Sequence, residues 1–364
     1  MKIGILTFPN STSYGAVLQM YALYKSVEKL GAEAEIINYH NSFMKQRKHY
    51  RSLNSLSQGK RTLKNIAIRI VHSRQIVSFR DFEKKMRMYP PKPEQDISMI
   101  SNVGMRYDAV ICGSDQVWNT HITGGDMHFY LDFCRENTKR ISYAPSFGKV
   151  AYSYGMEDRI KQELGKFSYI SVREQEGQHY VEQTTGRRPE LVLDPTFLLH
   201  RKEWEVLEKA YTIPQDGYIV YYAIRSSATL LNFCRELAEK ENKKIVIIGG
   251  NFLKRYKNKD CRVTYAPDLS PEEWLYVIHH ADYVVTNSFH GTAFSIHYQK
   301  DFYVEFSSDT NSRLEEIIQL CALEDRVIDH VNLQCSTPID YASVEYRLAQ
   351  RREQSLAFLQ NAIC

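Results

Sequence analysis

Two series of short apolar strands alternating with amphipathic helices run along this chain, and they constrain its fold more than any other feature. The first series opens with residues 2–8, 14–30 and 33–39, which we predict to be strand, helix and strand. The second opens with a strand at 218–224, after a linker at 197–216. Strands that alternate with helices pair in parallel, so each series predicts a doubly wound α/β sheet.

The two series predict two domains that face each other across a cleft, and 364 residues are enough for both. We expect an N-terminal β/α domain over residues 1–200, with a basic helical insertion at 43–92. A C-terminal β/α domain is expected over 217–340. Residues 341–364 form an amphipathic helix, which we expect to pack back on the first domain.

Residues 282–297 contain the clearest candidate for a functional site. A β-branched apolar run is followed by a polar turn with Ser288, His290 and Gly291, and then by a helical pattern. A helix that starts directly after a strand offers backbone N–H groups and a positive dipole end, which favour an anion. Because histidine exchanges protons near neutral pH, the stretch predicts an anion-binding, proton-transferring site. A structural histidine fits the same residues about equally well.

Polar residues also follow the strands of the first series. The loop at 9–15 ends in Tyr14 and Gly15, and the strand at 107–112 runs into a polar stretch. The candidate binding residues of that stretch are Ser114, Asp115, Gln116, Trp118 and Asn119. Ligands bind at the carboxyl ends of parallel strands. An Asx-type turn with a packed tryptophan is the alternative, and Tyr14 and Trp118 fit either packing or a platform for a sugar ring.

Several classes of protein are disfavoured by what the sequence lacks. The loop at 9–15 has a single glycine and no acidic residue ends the second strand, so a nicotinamide cofactor is not expected. No apolar run approaches the ~18 residues of a membrane span, and the N-terminus lacks the apolar region of a signal peptide. Seven scattered cysteines without a C-x-x-C pair argue against disulfides and zinc. We therefore expect a cytoplasmic protein with no metal and no cofactor.

One segment has a large excess of basic over acidic residues. Between residues 44 and 92 there are 14 Lys and Arg residues but only two acids, Asp81 and Glu83, whereas the whole chain has a net charge of only +4. A basic block of this kind fits peripheral contact with an anionic membrane or a phosphate-bearing acceptor. A solvated helix face is an equally good interpretation. No nucleic-acid partner is expected.

Six short motifs, taken in order, resemble those of the polysaccharide pyruvyl transferase family. They are M-K-I-G-I-L-T-F…Y-G-A-V-L-Q at 1–19, Y-D-A-V-I-C-G-S-D-Q-V-W-N at 107–119, I-S-V-R-E at 170–174, V-L-D-P-T at 192–196, S-F-H-G-T-A-F-S at 288–295 and N-S-R at 311–313. Each motif alone is weak, but all six in order over about residues 1–320 form a specific pattern. The resemblance implies a GT-B-like fold, with an acceptor side in the first domain and a donor side in the second.

The resemblance also implies a reaction and its residues. Pyruvate would move from the co-substrate phosphoenolpyruvate to a pair of sugar hydroxyls on a surface polysaccharide or its lipid-linked precursor. His290 is similar to the family's active-site histidine, Arg173 to an arginine that grips the donor, and Arg313 to a second anion contact. Asp115 is a candidate to orient or deprotonate a sugar hydroxyl, with Asp194 as its rival. Asp301 departs from the family pattern after Lys300.

Two other functions remain compatible with the sequence. One is a nucleotide-sugar glycosyltransferase on the same fold, in which His290 and Arg173 would face a diphosphate. The other is a non-catalytic module that binds a saccharide or a membrane. For Arg173, a surface ion pair with Glu174 is the plainer interpretation of the residues alone.

Overall fold

Two parallel β-sheets, one in each of two units, organise the chain. The computed structural model describes residues 1–41, 43, 63–94, 102, 105–150, 155–249, 261–306, 311–330 and 337–364. Unit 1 comprises Met1–Gly59, Glu83–Leu199 and Ala349–Cys364, and unit 2 comprises Lys60–Phe82 and His200–Leu348. The part of the basic segment at 44–62 lies outside the described residues.

The described residues of unit 1 form seven strands. They are β1 (Lys2–Leu6), β2 (Glu33–Tyr39), β3 (Met88–Glu94), β4 (Ala109–Asp115), β5 (Lys139–Pro145), β6 (Tyr169–Val172) and β7 (Glu190–Leu191). All of them pair in parallel, in the order β3-β2-β1-β4-β5-β6-β7. Its helices include α1 (Tyr14–Lys29), α3 (Thr120–Thr123), α4 (Glu157–Leu164), α5 (Gln175–Thr185) and the 3-10 helices Met127–Tyr130 and Pro195–Leu198. Helix α2 (Leu63–Glu83) contributes only its last residue to this unit.

The strands of unit 1 follow the apolar runs of the sequence because both faces of the sheet are covered. Ile3 and Ile5 of β1 are fully buried, and Leu6 joins a core that includes Val110 of β4 and Val172 of β6. Helix α1 ends as its sequence predicts, with Gly31 just beyond it at φ +83°, a backbone region that glycine adopts without strain.

The proline-rich stretch at 89–93 by itself predicts only the end of a helix, and α2 does end before it, at Glu83. Residues Met88–Glu94 then form β3 at the edge of the sheet, where its pairing with β2 is irregular between Ile37 and Tyr39. An edge strand tolerates proline because only one of its sides must hydrogen-bond.

In the part of unit 2 that the structure describes, five strands pair in the order β10-β9-β8-β11-β12, again all parallel. They are β8 (Tyr218–Tyr222), β9 (Lys244–Ile248), β10 (Val263–Ala266), β11 (Tyr283–Thr286) and β12 (Asp301–Val304). Residues 63–82 of α2 belong to this unit. Its other helices include α6 (Arg201–Glu205), α7 (Ala228–Lys240), α8 (Pro271–His279), α9 (Phe289–His297), α10 (Asn311–Cys321) and the 3-10 helices Glu324–Arg326 and Ile328–His330. The sequence S-P-E-E at 270–273 predicts a capping box at the start of α8, and it is confirmed, since Ser270 and Glu273 bond each other's backbone N–H groups.

The last helix, α11 (Tyr341–Ile363), passes from unit 2 into unit 1 at Ala349. Within unit 1, Nε of Arg352 donates to the carbonyl of Phe197 at 2.7 Å. The hydroxyl of Ser355 accepts from the N–H of Leu193 at 2.9 Å. These bonds fasten the C-terminal part of α11 beside the residues that follow β7.

The strand orders locate one crevice in each sheet. The chain moves outward from β1 to β3 and then returns to the other side of β1 with β4. In unit 2 the same reversal separates β8 from β11. In open parallel sheets, ligands bind at the carboxyl ends of the strands at such a reversal. Among the described residues, no helix is both long and apolar enough to cross a bilayer.

Candidate functional site

The carboxyl edge of the unit 1 sheet carries most of the residues that the sequence singled out in this unit. Ser114 and Asp115 end β4, and Arg173 directly follows β6. Asp194 comes three residues after the end of β7. Because parallel strands end at one edge, these side chains belong to the same end of the sheet as the crevice between β1 and β4.

A buried ion pair joins Arg173 to Asp194. Nη1 of Arg173 donates to Oδ2 of Asp194, and the two side chains are 3% and 0% exposed. Oδ1 of Asp194 also accepts from the N–H and the hydroxyl of Thr196, at 3.0 and 2.7 Å. The hydroxyl of Ser114 lies 3.3 Å from Oδ2. These bonds hold the guanidinium in one orientation at the carboxyl edge, and its planar fork suits a carboxylate or a phosphate.

The structure bears on two questions left open by the sequence: whether Asp115 or Asp194 is the hydroxyl base, and whether Arg173 pairs with Glu174 at the surface. Asp194 is the N-cap of the 3-10 helix Pro195–Leu198, so it has the turn-forming role that the Asp-Pro sequence indicates. The residue is only 2% exposed. Asp115 is partly exposed and is therefore the more accessible candidate for the hydroxyl base. Arg173 and Glu174 do not form a surface ion pair, since both are buried and Oε1 of Glu174 accepts from the N–H of Phe147 at 3.0 Å.

Asp115 has an uncommon backbone conformation. Its φ of +73° lies in the left-handed region, which non-glycine residues adopt at a cost of about 1 kcal/mol or more. Two hydrogen bonds hold it there: Oδ1 accepts from the N–H of Gln116 at 2.8 Å, and its carbonyl accepts from the N–H of Ser146 at 2.9 Å. Strained residues at the end of a strand cluster at functional sites, which keeps Asp115 a candidate.

Gln116 and Asn119 support the loop after β4. Nδ2 of Asn119 donates to Oε1 of Gln116 at 2.7 Å, and Oδ1 of Asn119 accepts from the N–H of His121 to cap α3. Gly148 lies so close that a Cβ there would be 2.3 Å from Nδ2 of Asn119. These contacts give both side chains a structural role, in addition to any contact with a ligand.

The structure corrects the interpretation of Trp118. This side chain is fully buried, stacks on Tyr130 with ring centroids 5.3 Å apart, and donates through Nε1 to the carbonyl of Phe129. A sugar platform needs an exposed ring face, so Trp118 is a core residue. Tyr14, at the start of α1, is only 5% exposed, and Gly15 is buried beside it. Tyr14 is therefore also better explained by packing.

In unit 2, the turn between β11 and α9 is bonded to the end of β8. The hydroxyl of Thr286 donates to the carbonyl of Tyr222 at 2.6 Å. Oδ1 of Asn287 accepts from the N–H of Ile224, and its Nδ2 donates to the carbonyl of Arg225, both at 2.9 Å. These bonds cross the crevice between β8 and β11. They place His290, the second residue of α9, at the carboxyl edge of this sheet.

His290 is buried, with 7% of its surface exposed, and its ring lies perpendicular to that of Phe289 at 5.1 Å. Arg313, in the first turn of α10, is also buried at 9%. Helix α10 packs against α9, so the arginine lies on the helix beside the one that carries the histidine.

Two N–H groups at the start of α9, which we expected to bind an anion, donate hydrogen bonds to side chains of the same turn. The N–H of Ser288 donates to the hydroxyl of Thr286, and the N–H of Gly291 donates to the hydroxyl of Ser288. The phenol of Tyr222 also bonds the Ser288 side chain, although burial is the main reason that the pKa of Tyr222 is raised to about 12. Ser288 is thus an N-cap, and the predicted anion-binding role of these two N–H groups is corrected to a structural one.

Gly291 is required by space at this turn. A Cβ at this position would lie 2.4 Å from Oγ1 of Thr286 and 3.1 Å from Cδ1 of Tyr222. We expect Gly291→Ala to destabilise unit 2 by about 1–3 kcal/mol, as overpacking of a filled site does, in thermal unfolding. Gly177→Ala, inside α5, is the matched control, because its new Cβ would approach nothing closer than 3.2 Å. Equal losses for the two variants would show that the crowding at Gly291 is unimportant.

A cluster that the sequence did not reveal ties the loop after β4 to the end of β2. Asp126 accepts hydrogen bonds from the phenol of Tyr39, at 2.6 Å, and from Nδ2 of Asn41. Nδ1 of His128 lies 3.2 Å from carboxylate oxygens of both Asp126 and Asp132. Its ring stacks on Tyr39 at 5.3 Å. The spacing D-x-H was the only local signal, and it is too common to predict such a cluster.

The charge state of His128 should make unit 1 sensitive to pH. Burial alone would lower the pKa of His128, but the hydrogen bond to Asp126 and the charges of Asp126 and Asp132 raise it overall. A raised pKa in the folded state stabilises the fold below the unfolded value of about 6.5, and this stabilisation is lost as pH rises through the folded value. The melting temperature of the natural protein should therefore fall more steeply above about pH 6.5 than that of His128→Gln. His179→Gln, at an exposed histidine, should keep the natural slope, and parallel profiles for all three proteins would contradict the assignment.

Among the described residues, one group has ligand atoms close enough to share a metal ion: Glu208, His279 and His280, all within 4.8 Å of one another. Nδ1 of His279 is 2.9 Å from Glu208, and its Nε2 is 3.0 Å from a guanidinium nitrogen of Arg201. The positive charge of Arg201 beside Nε2 of His279 disfavours binding of a metal cation at Nδ1 of the same ring. His279 ends α8 and His280 follows it, ahead of β11, so both histidines lie near the amino end of that strand.

Comparison with solved structures defines the class of fold. The UDP-GlcNAc 2-epimerase of Methanocaldococcus jannaschii is similar, with a TM-score of 0.54 and 13% identity, over 96% of this chain and 92% of that chain. UDP-GlcNAc 2-epimerase from Neisseria meningitidis, bound to UDP-GlcNAc, gives a TM-score of 0.52 and 12% identity, over 98% and 94%. At such identities the likeness concerns the fold alone, and it identifies a GT-B fold, as expected from the sequence.

The family is established by sequence. A model of the polysaccharide pyruvyl transferase family matches residues 14–304, and the chain belongs to that family. A search of curated proteins finds no significant match. Five of the six motifs noted above begin within the matched range or overlap it, and only N-S-R at 311–313 lies beyond it.

Proposed function

We propose that this protein transfers pyruvate from phosphoenolpyruvate to two hydroxyls of one sugar, forming a cyclic ketal on a surface polysaccharide or its lipid-linked precursor. The observation that carries the proposal is the family match over residues 14–304. The chemistry of the two carboxyl edges supports it. Each edge offers groups that this reaction needs: a guanidinium and a carboxylate in unit 1, and an imidazole in unit 2.

The reaction requires one proton delivered to carbon and two removed from oxygen. Protonation of the methylene carbon of phosphoenolpyruvate leaves positive character on the neighbouring carbon. One sugar hydroxyl attacks that carbon and loses its proton, and phosphate then leaves with the C–O electron pair. The second hydroxyl attacks the same carbon and loses its proton, which closes the ketal ring. The products are the ketal and inorganic phosphate.

His290 is our candidate for the proton donor to the methylene carbon. It is the side chain type whose charge changes most readily near neutral pH. Its position at the start of α9 lies at the carboxyl edge where ligands bind in such sheets. Asp115 is the candidate to orient or deprotonate a sugar hydroxyl, because it is the more exposed of the two carboxylates considered.

Arg173 is our candidate to bind the carboxylate or phosphate of the donor. Asp194 accepts from Nη1 of Arg173, and this ion pair orients the planar guanidinium, whose geometry suits a carboxylate or a phosphate. Arg313 is proposed as a second contact with the anion, from the helix that packs on α9. We propose that phosphoenolpyruvate is the only co-substrate, with no metal and no bound cofactor.

Ligand-dependent thermal shifts test the choice of donor. The protein is heated with phosphoenolpyruvate, with a UDP-sugar, or with inorganic phosphate as a control for general anion binding. Stabilisation by phosphoenolpyruvate beyond that by phosphate supports the proposal, since a ligand that binds only the folded state raises its stability. Stabilisation by the UDP-sugar alone would instead identify a nucleotide-sugar glycosyltransferase.

A further inference from the structure

The basic segment contains a helix with two chemically distinct faces. On α2, Phe79 and Phe82 are almost fully buried, at 1% and 0%. The opposite face and the turn that follows it expose a set of basic side chains and one apolar side chain. These exposed residues are Arg74, Val77, Arg80, Lys84 and Lys85, and we call them the basic face.

Basic residues greatly outnumber acids in this segment. Of the two acids between residues 44 and 92, Glu83 is only 3% exposed, and its Oε1 accepts from the N–H of Asn10 at 2.7 Å. Asp81 is therefore the one acid at the surface of the described part of the segment. Six further Lys and Arg residues lie between 44 and 62, outside the described residues.

We propose that the basic face binds the surface of an anionic membrane. Long basic side chains with an apolar residue among them suit the interface of a bilayer, where the aliphatic stems and the apolar side chain contact lipid while the charges meet headgroups. Val77 is 55% exposed at the centre of this face. Proteins that bind single-stranded nucleic acid stack bases on exposed aromatic rings, and both phenylalanines in the described 73–85 stretch are buried. A lipid surface is therefore the better partner.

Glu83, the last residue of α2, contacts the loop that follows β1. Asn10 belongs to the loop after β1, beside the crevice of the unit 1 sheet, and its Nδ2 donates to Oδ1 of Asn38 at 2.8 Å. The last residue of α2 is thus fastened to the loop at which a sugar acceptor is expected. Membrane binding itself does not depend on the proposed reaction.

Vesicle sedimentation with the full chain tests the proposal. The natural protein should sediment with vesicles of phosphatidylcholine mixed with phosphatidylglycerol, but not with phosphatidylcholine alone, and added salt should release it. Arg74→Glu combined with Arg80→Glu should weaken binding roughly 25-fold or more, because each basic side chain at an anionic surface is worth about fivefold. Both side chains are exposed, so the fold should be unaffected, which a melting curve verifies.

The matched control has the same change in net charge elsewhere on the surface. Lys202→Glu combined with Arg235→Glu alters two exposed residues outside the basic face and should retain most of the binding. Equal loss in both double variants would show that only the overall charge matters, and would overturn the assignment of the face. Binding that is independent of phosphatidylglycerol would overturn the electrostatic basis. Binding to single-stranded RNA but not to vesicles would overturn the choice of partner. None of these results depends on phosphoenolpyruvate, so the transferase proposal is tested separately.

Discussion

Replacing His290 by glutamine is expected to lower the rate of pyruvyl transfer by about 10²–10⁴-fold, the usual contribution of a positioned proton donor. Glutamine keeps the size and a hydrogen-bonding group but cannot deliver a proton near neutral pH. The loss should appear in kcat, because the proton moves in the transition state, and a smaller change is expected in KM for phosphoenolpyruvate. Steady-state release of phosphate in the presence of an acceptor measures both.

The chain offers a matched control on the same helix. His297 is buried to almost the same extent, at 8% against 7%, but lies at the other end of α9. Seven residues of helix separate the two by roughly 10 Å. His297→Gln should therefore change stability without a comparable loss of turnover. If both variants lose activity equally, or if His290→Gln retains it while folded, His290 is a structural histidine.

Replacing Asp194 by alanine is expected to destabilise unit 1 by about 3–5 kcal/mol, the usual cost of leaving one partner of a buried ion pair alone. Asp194 is fully buried and pairs with Arg173, which is 3% exposed. The substitution also removes the acceptor for the N–H and hydroxyl of Thr196. In a unit of this size the loss corresponds to about 6–20 °C in melting temperature.

An exposed ion pair in the same unit serves as the control. Arg188 and Glu182 lie 3.2 Å apart with 62% and 38% of their side chains exposed. Such pairs contribute about 0–1 kcal/mol, so Glu182→Ala should shift the melting temperature little. If Asp194→Ala costs no more than Glu182→Ala, the buried pair is not an anchor of the carboxyl edge. The proposed orientation of Arg173 would then lose its basis.

Much of the fold could be predicted because its signals are local. Strand β2 has the predicted bounds, 33–39. Helix α8 begins where its capping box indicates, directly after the N-cap Ser270. The parallel arrangement followed from the alternation of strands and helices. Strand β3 was missed because proline argues against a central strand, and only the neighbouring β2 shows that this one lies at an edge.

The candidate site was less predictable, because it depends on contacts between distant parts of the chain. Arg173 was singled out by its motif, but its partner Asp194 is 21 residues away, and nothing local excludes the ion pair with Glu174. Trp118 was grouped with the binding residues from its position after a strand, whereas its burial depends on Tyr130 and Phe129. The polar turn at 287–291 was correctly located, but the side chains of Thr286 and Asn287 form hydrogen bonds that join the end of β11 to the end of β8.

The most direct test of the central claim is mass spectrometry of lipid-linked oligosaccharides after incubation with the protein and phosphoenolpyruvate. The proposed reaction predicts a product heavier than its acceptor by one pyruvate less one water, with one phosphate released for each ketal formed. His290→Gln should give little of this product while remaining folded. Acceptors that stay unmodified with phosphoenolpyruvate, but gain a hexose or an acetamidohexose from a UDP-sugar, would contradict the account.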